Sequence, residues 1–252
     1  MGLGNMLAKE SRAWWRTRRW WVQCLLWLVL LNGTLWLNLR GNVRVDEAGL
    51  AFLMMAGLAV PIAAISLGQD SILGEKHSGT AAWVLSKPLK RPAFILAKLV
   101  ALGLGLLVTG VVLPGVIAFF QLRSEGLSQF LSAPGWAEAM GLVYLSLLFY
   151  LTLALLLATI FHGRGSVLAI TLGIVMAGLL PWSYKLVEQH AQWLLAVLPW
   201  DLLTAGGGGK LPLAARLALG QPLPTVTPII GTAVWCVLFV AVAIWRFGRE
   251  EF

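Results

Sequence analysis

The run Gly74-Glu75-Lys76-His77-Ser78-Gly79-Thr80-Ala81-Ala82-Trp83-Val84-Leu85-Ser86-Lys87-Pro88-Leu89-Lys90-Arg91, continued from Pro92 to Lys98, decides the fold. It is the only long polar interruption in the first half of a very apolar sequence. Bases mark it at Lys76, Lys87, Lys90, Arg91 and Lys98. Gly79 and Pro88 punctuate it, because glycine frees the backbone and proline ends a helix. Between the two, residues 80–85 form an apolar turn or two of helix that carries Trp83. A short capped helix beside basic residues, set between long apolar runs, has the form of a docking element at a membrane face.

The solvent around those runs is set by composition. Apolar residues make up 59% of the 252 residues and charged residues 12%, against roughly 25% charged in a soluble domain. Mean hydropathy is +0.81. A soluble chain of this length has no interior large enough to hide so much apolar surface, so lipid must cover it. The net charge of +8 sits beside the apolar runs rather than along a nucleic-acid-binding face, which excludes nucleic acid as the partner and fits positive charge at a membrane surface.

Outward from the loop, six apolar runs are long enough to span, at 20–39, 50–68, 94–120, 136–160, 166–184 and 228–245. A bilayer core requires ~20 residues of helix. Residues 1–19 precede them. Leu3, Met6, Leu7 and Trp14 recur there at helical spacing on one face, with Lys9, Arg12, Arg16 and Arg18 among them. This predicts an amphipathic helix lying at the interface. An even number of spans puts both termini on one side. With the termini inside, 13 of the Lys and Arg residues fall on inner segments and 6 on outer ones. The positive-inside rule therefore makes the termini and the 74–93 loop cytoplasmic. The outer loop, 185–227, holds an apolar run at 193–203 that is too short to span, read as an interfacial helix or a re-entrant hairpin.

The loop also carries a likeness. Glu75, Lys76, Ser78-Gly79-Thr80, Leu85-Ser86, Pro88, Arg91 and Lys98 closely resemble, in order and spacing, the cytoplasmic loop of the type-2 ABC transporter permeases. His77 departs from that family's usual acid, Pro92 follows the Arg, and Ala97 replaces a frequent Gly. The resemblance implies an all-α integral membrane protein of the cytoplasmic (inner) membrane, with a coupling helix between spans 2 and 3. It further implies the permease subunit of an exporter, pairing with a second permease copy or paralogue and with two ABC ATPase subunits that hold the ATP and Mg. On this chain it implies no catalytic residue, cofactor or metal. The ATPase-docking set is then Glu75, Lys76, Gly79, Thr80, Trp83, Leu85, Pro88 and Arg91, with Arg91 and Lys98 holding span 3 at the inner headgroups. The alternative is a non-transporting membrane scaffold that recruits a cytoplasmic partner through the same loop.

Other candidate chemistry dissolves. Gly206 to Lys210 lacks the hydroxyl residue that a phosphate loop needs, since Leu211 stands there. His77, His162 and His190 show no metal-ligand spacing, and Cys24 and Cys236 lie within apolar runs. The tryptophans Trp14, Trp15, Trp20, Trp21, Trp136, Trp182 and Trp245 sit at predicted span ends, as an aromatic belt would. Gln23, Thr34 and Asn38 share one face of the first span by ideal helical spacing. They predict either the lining of a translocation path for an amphipathic or lipid-like cargo, or a hydrogen-bonding face between subunits.

Overall fold

A computed structural model describes residues 3–41, 43–78, 91–125, 131–195, 198–204 and 211–249. Among these residues the chain is helical and contains no strand. A short helix α1 (Leu3–Trp15) precedes the bundle. Among the described residues, five helices are long and apolar enough to cross a membrane: α2 (Trp20–Arg40), α3 (Val45–His77), α4 (Pro92–Ser124), α5 (Ala133–Ile160) and α11 (Thr227–Gly248). Between α5 and α11 lie α6 (Arg164–Leu179), α7 (Pro181–His190), α8 (Gln192–Leu195), α9 (Trp200–Leu203) and α10 (Leu213–Ala218). Counting α6 and α7 as one bent span gives six.

The bundle is organised around α5. A helix apolar on every side belongs inside, and 72% of the apolar window of α5 is buried, against 17% for α11. Ser132 starts it as N-cap, its Oγ accepting from Gly135 N at 3.1 Å. The helices α3, α11 and α10 pack along it, and α1 lies against α4.

The helices α3 and α4 are each 33 residues long, about 50 Å at 1.5 Å per residue. A hydrocarbon core of ~30 Å leaves each with about 20 Å to protrude or to take up by tilt. The polar stretch from Gln69 to His77 therefore continues α3 as helix rather than starting the loop. The expected loop 74–93 narrows accordingly, with α3 running through His77 and helix resuming at Arg91.

The fifth span departs from the expected 166–184. Pro181 forces the residue before it out of the helical region, and Leu180 is extended (φ −85°, ψ 118°). The chain turns by 89° there. The helix α6 alone has 16 residues, about 24 Å, short of the core. The hydroxyl of Ser183 donates to Ala177 O and Leu180 O across the corner, and Trp200 seats on Gly178, its Nε1 donating to Ile174 O at 3.0 Å. The run at 193–203 is divided into α8 and α9, and Tyr184 donates to Asp201 Oδ1 at 2.5 Å. Gly220 closes α10 with the one positive φ among the described glycines (65°), a conformation in which glycine carries no steric penalty.

Two belt tryptophans are corrected. Trp14 and Trp136 are buried in protein, whereas Trp15, Trp20, Trp21, Trp182 and Trp245 are exposed. Trp136 packs beside Phe52 and donates from Nε1 to Gly115 O at 2.8 Å. The indole of Trp14 lies where a Cβ on Gly105 would stand, so the apolar face of α1 rests on α4 rather than on lipid alone. Gly105→Leu sets an overpacking cost of about 1–3 kcal/mol or more against a helix-propensity gain of about 1 kcal/mol. It should lower the thermal midpoint in detergent, read by circular dichroism. The control Gly173→Leu, which meets nothing within 4 Å, should not.

Candidate functional site: the base of the coupling loop

Of the sequence-predicted docking residues, Gly79, Thr80, Trp83, Leu85 and Pro88 lie outside the described residues, and Arg91 opens the helix that continues as α4. The frame that presents them is described. Lys98, on the first turns of α4, is 2% exposed. Its Nζ lies 2.8 Å from Glu75 Oε1 on α3 and 3.4 Å from Glu10 Oε1 on α1. It also stands 4.8 Å from the centroid of the Phe94 ring. Phe94 in turn stacks on Phe247 of α11, centroids 5.0 Å apart. One buried amine thus ties together α1, α3 and α4, and through Phe94 reaches α11. The expectation that Lys98 holds its span at the headgroups is corrected: the side chain points into the bundle, where Glu75 meets it.

A second set of contacts ties the same end of α3 to the α5–α6 turn. Lys76 Nζ donates to Thr159 O at 3.1 Å, and the Nε2 of His77 lies 3.0 Å from His162 O. Arg164 Nη2 reaches Asp70 Oδ1 at 2.6 Å. The last pair is exposed and worth little alone; its position matters more, since it fixes the start of α6. Lys76 also falls in the last turn of α3, where its positive charge meets the partial negative charge of the helix C-terminus. The described elements on either side of positions 79–90, α3 and α4, are therefore bound to four other helices.

Beside Lys98 lies a cavity of about 200 Å³ bordered by Glu10, Trp14, Asp70, Ser71, Glu75 and Lys98. Glu10 and the Asp70–Arg164 pair were not singled out from the sequence. Glu10 had a signal: it is the one acid among the bases of residues 1–19.

The expected polar face of the first span is interrupted. Residues Leu28–Asn32 form a π turn within α2, which adds a residue and rotates the later turns of the helix relative to the earlier ones. Gln23 lies before that turn, Thr34 and Asn38 after it. Thr34 bonds its own helix, donating to Leu30 O at 2.7 Å. Asn32, inside the π turn, is buried. A second π turn, Leu107–Val112 in α4, packs against the first half of α2, and Gly110 approaches Trp27 and Val60.

Removing one partner from a buried ion pair leaves an uncompensated charge, a loss of about 3–5 kcal/mol when burial is complete. Lys98→Met strands Glu75 and Glu10 and should lower the thermal midpoint in detergent. Adding Glu75→Gln and Glu10→Gln should recover part of the loss. A triple variant no more stable than the single one would show that packing of the lysine stem, not charge, holds the site.

Comparison with known proteins agrees with this architecture. The ABC-2 family transporter protein family matches residues 5–252. The chain is 28% identical over 249 residues to a probable ABC transporter permease protein NosY of Stutzerimonas stutzeri, a match covering 90% of each. It is 26% identical over 269 residues to the probable ABC transporter permease protein NosY of Pseudomonas aeruginosa, covering 95% of this chain and 92% of the relative. With spanning helices and a match over nearly its whole length, the chain belongs to the ABC-2 family of transporter proteins, as an integral membrane permease subunit of an ABC transporter.

Proposed function

We propose that this chain forms one half of the translocation pathway of an exporter and receives its ATPase through the loop that α3 and α4 carry. The observation that supports this most is the buried Lys98–Glu75–Glu10 cluster at the root of that loop. A loop meant only to connect two spans needs no such frame. A loop that transmits force does, because displacement of residues 79–90 would otherwise be absorbed by its own ends. ATP and Mg would be held by the ATPase partners, two per complex, opposite a second permease copy or paralogue. ATPase closure would press on the segment around Trp83 and move α3, α4 and α1 together.

The orientation follows the 13-to-6 distribution of Lys and Arg, placing the termini and the loop in the cytoplasm. The cargo would be amphipathic or lipid-like. This rests on charges that gather at the helix ends rather than at mid-membrane depth. Permease subunits of this family are ordinarily not enzymes, and purified alone this chain should hydrolyse no ATP.

Large aromatics anchor interfaces, and truncating one commonly removes 2 kcal/mol or more, on the order of thirtyfold in affinity. Trp83→Ala should insert normally yet recover far less ATPase in a pull-down at matched expression. Undiminished recovery would remove Trp83 from the interface. For orientation, single cysteines at Ser78 and Thr204, in a background lacking Cys24 and Cys236, should label from opposite sides of the membrane. Labelling of both by an impermeant reagent outside intact cells would exclude the proposed topology.

A further inference from the structure

Toward the end of the bundle opposite Lys98, α4 and α5 part to leave a groove of about 510 Å³ with an almost wholly apolar lining. On α4 its wall is Val112, Val116, Phe119 and Phe120; on α5 the backbone recedes at Gly141. Val112, Val116 and Phe120 repeat every four residues, so they form one stripe along the helix. Arg123, seven residues beyond Val116, continues that stripe past the end of the groove. Its guanidinium stands 5.8 Å from the centroid of Phe119, and among the described residues no carboxylate pairs with it. An apolar trough open to lipid thus ends on an exposed cation at headgroup depth.

We propose that this groove is a binding site for one phospholipid, its acyl chain lying along Val112, Val116 and Phe119 and its phosphate on Arg123. Length and charge decide the occupant. From Leu107 to Phe120 the trough runs about 20 Å along the helix, enough for the tail of one leaflet, which is about half of the ~30 Å core. An extended hydrocarbon chain can lie along such a trough, and a helix of a second copy laid over it is the alternative that the cross-linking arm below tests. The charge selects further, because an arginine fork pairs with phosphate oxygens, and a neutral lipid without phosphate leaves it without a partner. The π turn at Leu107–Val112 lies at the inner end of the groove and helps shape it. The site is independent of the direction of transport: a chain that moves no cargo but keeps the lipid leaves the proposal standing.

The test uses the full chain. Gly141 lines the groove and a Cβ there would meet nothing within 4 Å, so Gly141→Leu adds side chain to the groove, and replacing a helical glycine favours the helix. Delipidated protein in mild detergent is titrated with phosphatidylglycerol or with a diacylglycerol of the same chains, and retention is read by native mass spectrometry. Wild type should hold one phosphatidylglycerol and prefer it over the diacylglycerol by tenfold or more. Gly141→Leu should lose the bound lipid at an undiminished thermal midpoint, and Arg123→Gln should lose the preference but keep weak binding of both. Equal retention by wild type and Gly141→Leu would overturn the proposal, as would equal affinity of wild type for the two lipids. A Gly141→Cys variant lacking Cys24 and Cys236 should stay monomeric under oxidation. Disulfide-linked dimers in place of bound lipid would make the groove a contact between copies and end the lipid reading.

Discussion

An amine that is 2% exposed must be neutralised where it stands, because the low-dielectric interior offers it no water. Lys98 meets that requirement with two carboxylates and an aromatic face. The arrangement at this end of the bundle depends on it. Glu75 fixes where α3 ends relative to α4. Glu10 fixes α1, which would otherwise be held chiefly by Trp14 against Gly105. The neighbouring contacts of Lys76, His77 and Asp70 extend the same framework to the α5–α6 turn. No single helix near the loop can shift without disturbing a bond to another.

In lipid there is little hydrophobic force between helices, so close packing and interhelical hydrogen bonds carry association. The bundle solves this repeatedly with an indole and a glycine. Trp14 lies on Gly105, Trp136 donates to Gly115 O, and Trp200 lies on Gly178 while bonding Ile174 O. In each case glycine lets a large flat side chain approach the backbone, and in two of them the indole N–H finds a carbonyl. Two of the three, Trp14 and Trp136, are residues that sequence places at a membrane belt, and they serve here as struts between helices.

The all-α class and the long apolar spans were legible because lipid imposes length and apolarity on every spanning helix. The loop's residue order carried the family. The features that were not legible have physical causes. The amphipathic pattern of residues 3–15 says that one face is buried, not whether lipid or α4 buries it. Lys98 lies close to the polar loop in sequence, so its inward turn depends on acids 23 and 88 residues away. A π turn leaves no apolar periodicity of its own, so the continuous face drawn through Gln23, Thr34 and Asn38 ignored it. Pro181 was visible, but its consequence, an 89° corner, depends on Trp200 and Asp201 being present to hold it.

The stack of Phe94 on Phe247 joins residues far apart in sequence, one near the start of α4 and one in the last turns of α11. During synthesis the first face of this contact is in the membrane long before the second exists. The central helix α5 likewise waits for α11 to cover it. Until α11 inserts, lipid or the insertion machinery must occupy that side of the bundle. The maturation of the core is therefore tied to the arrival of α11 rather than to the insertion of α5 itself.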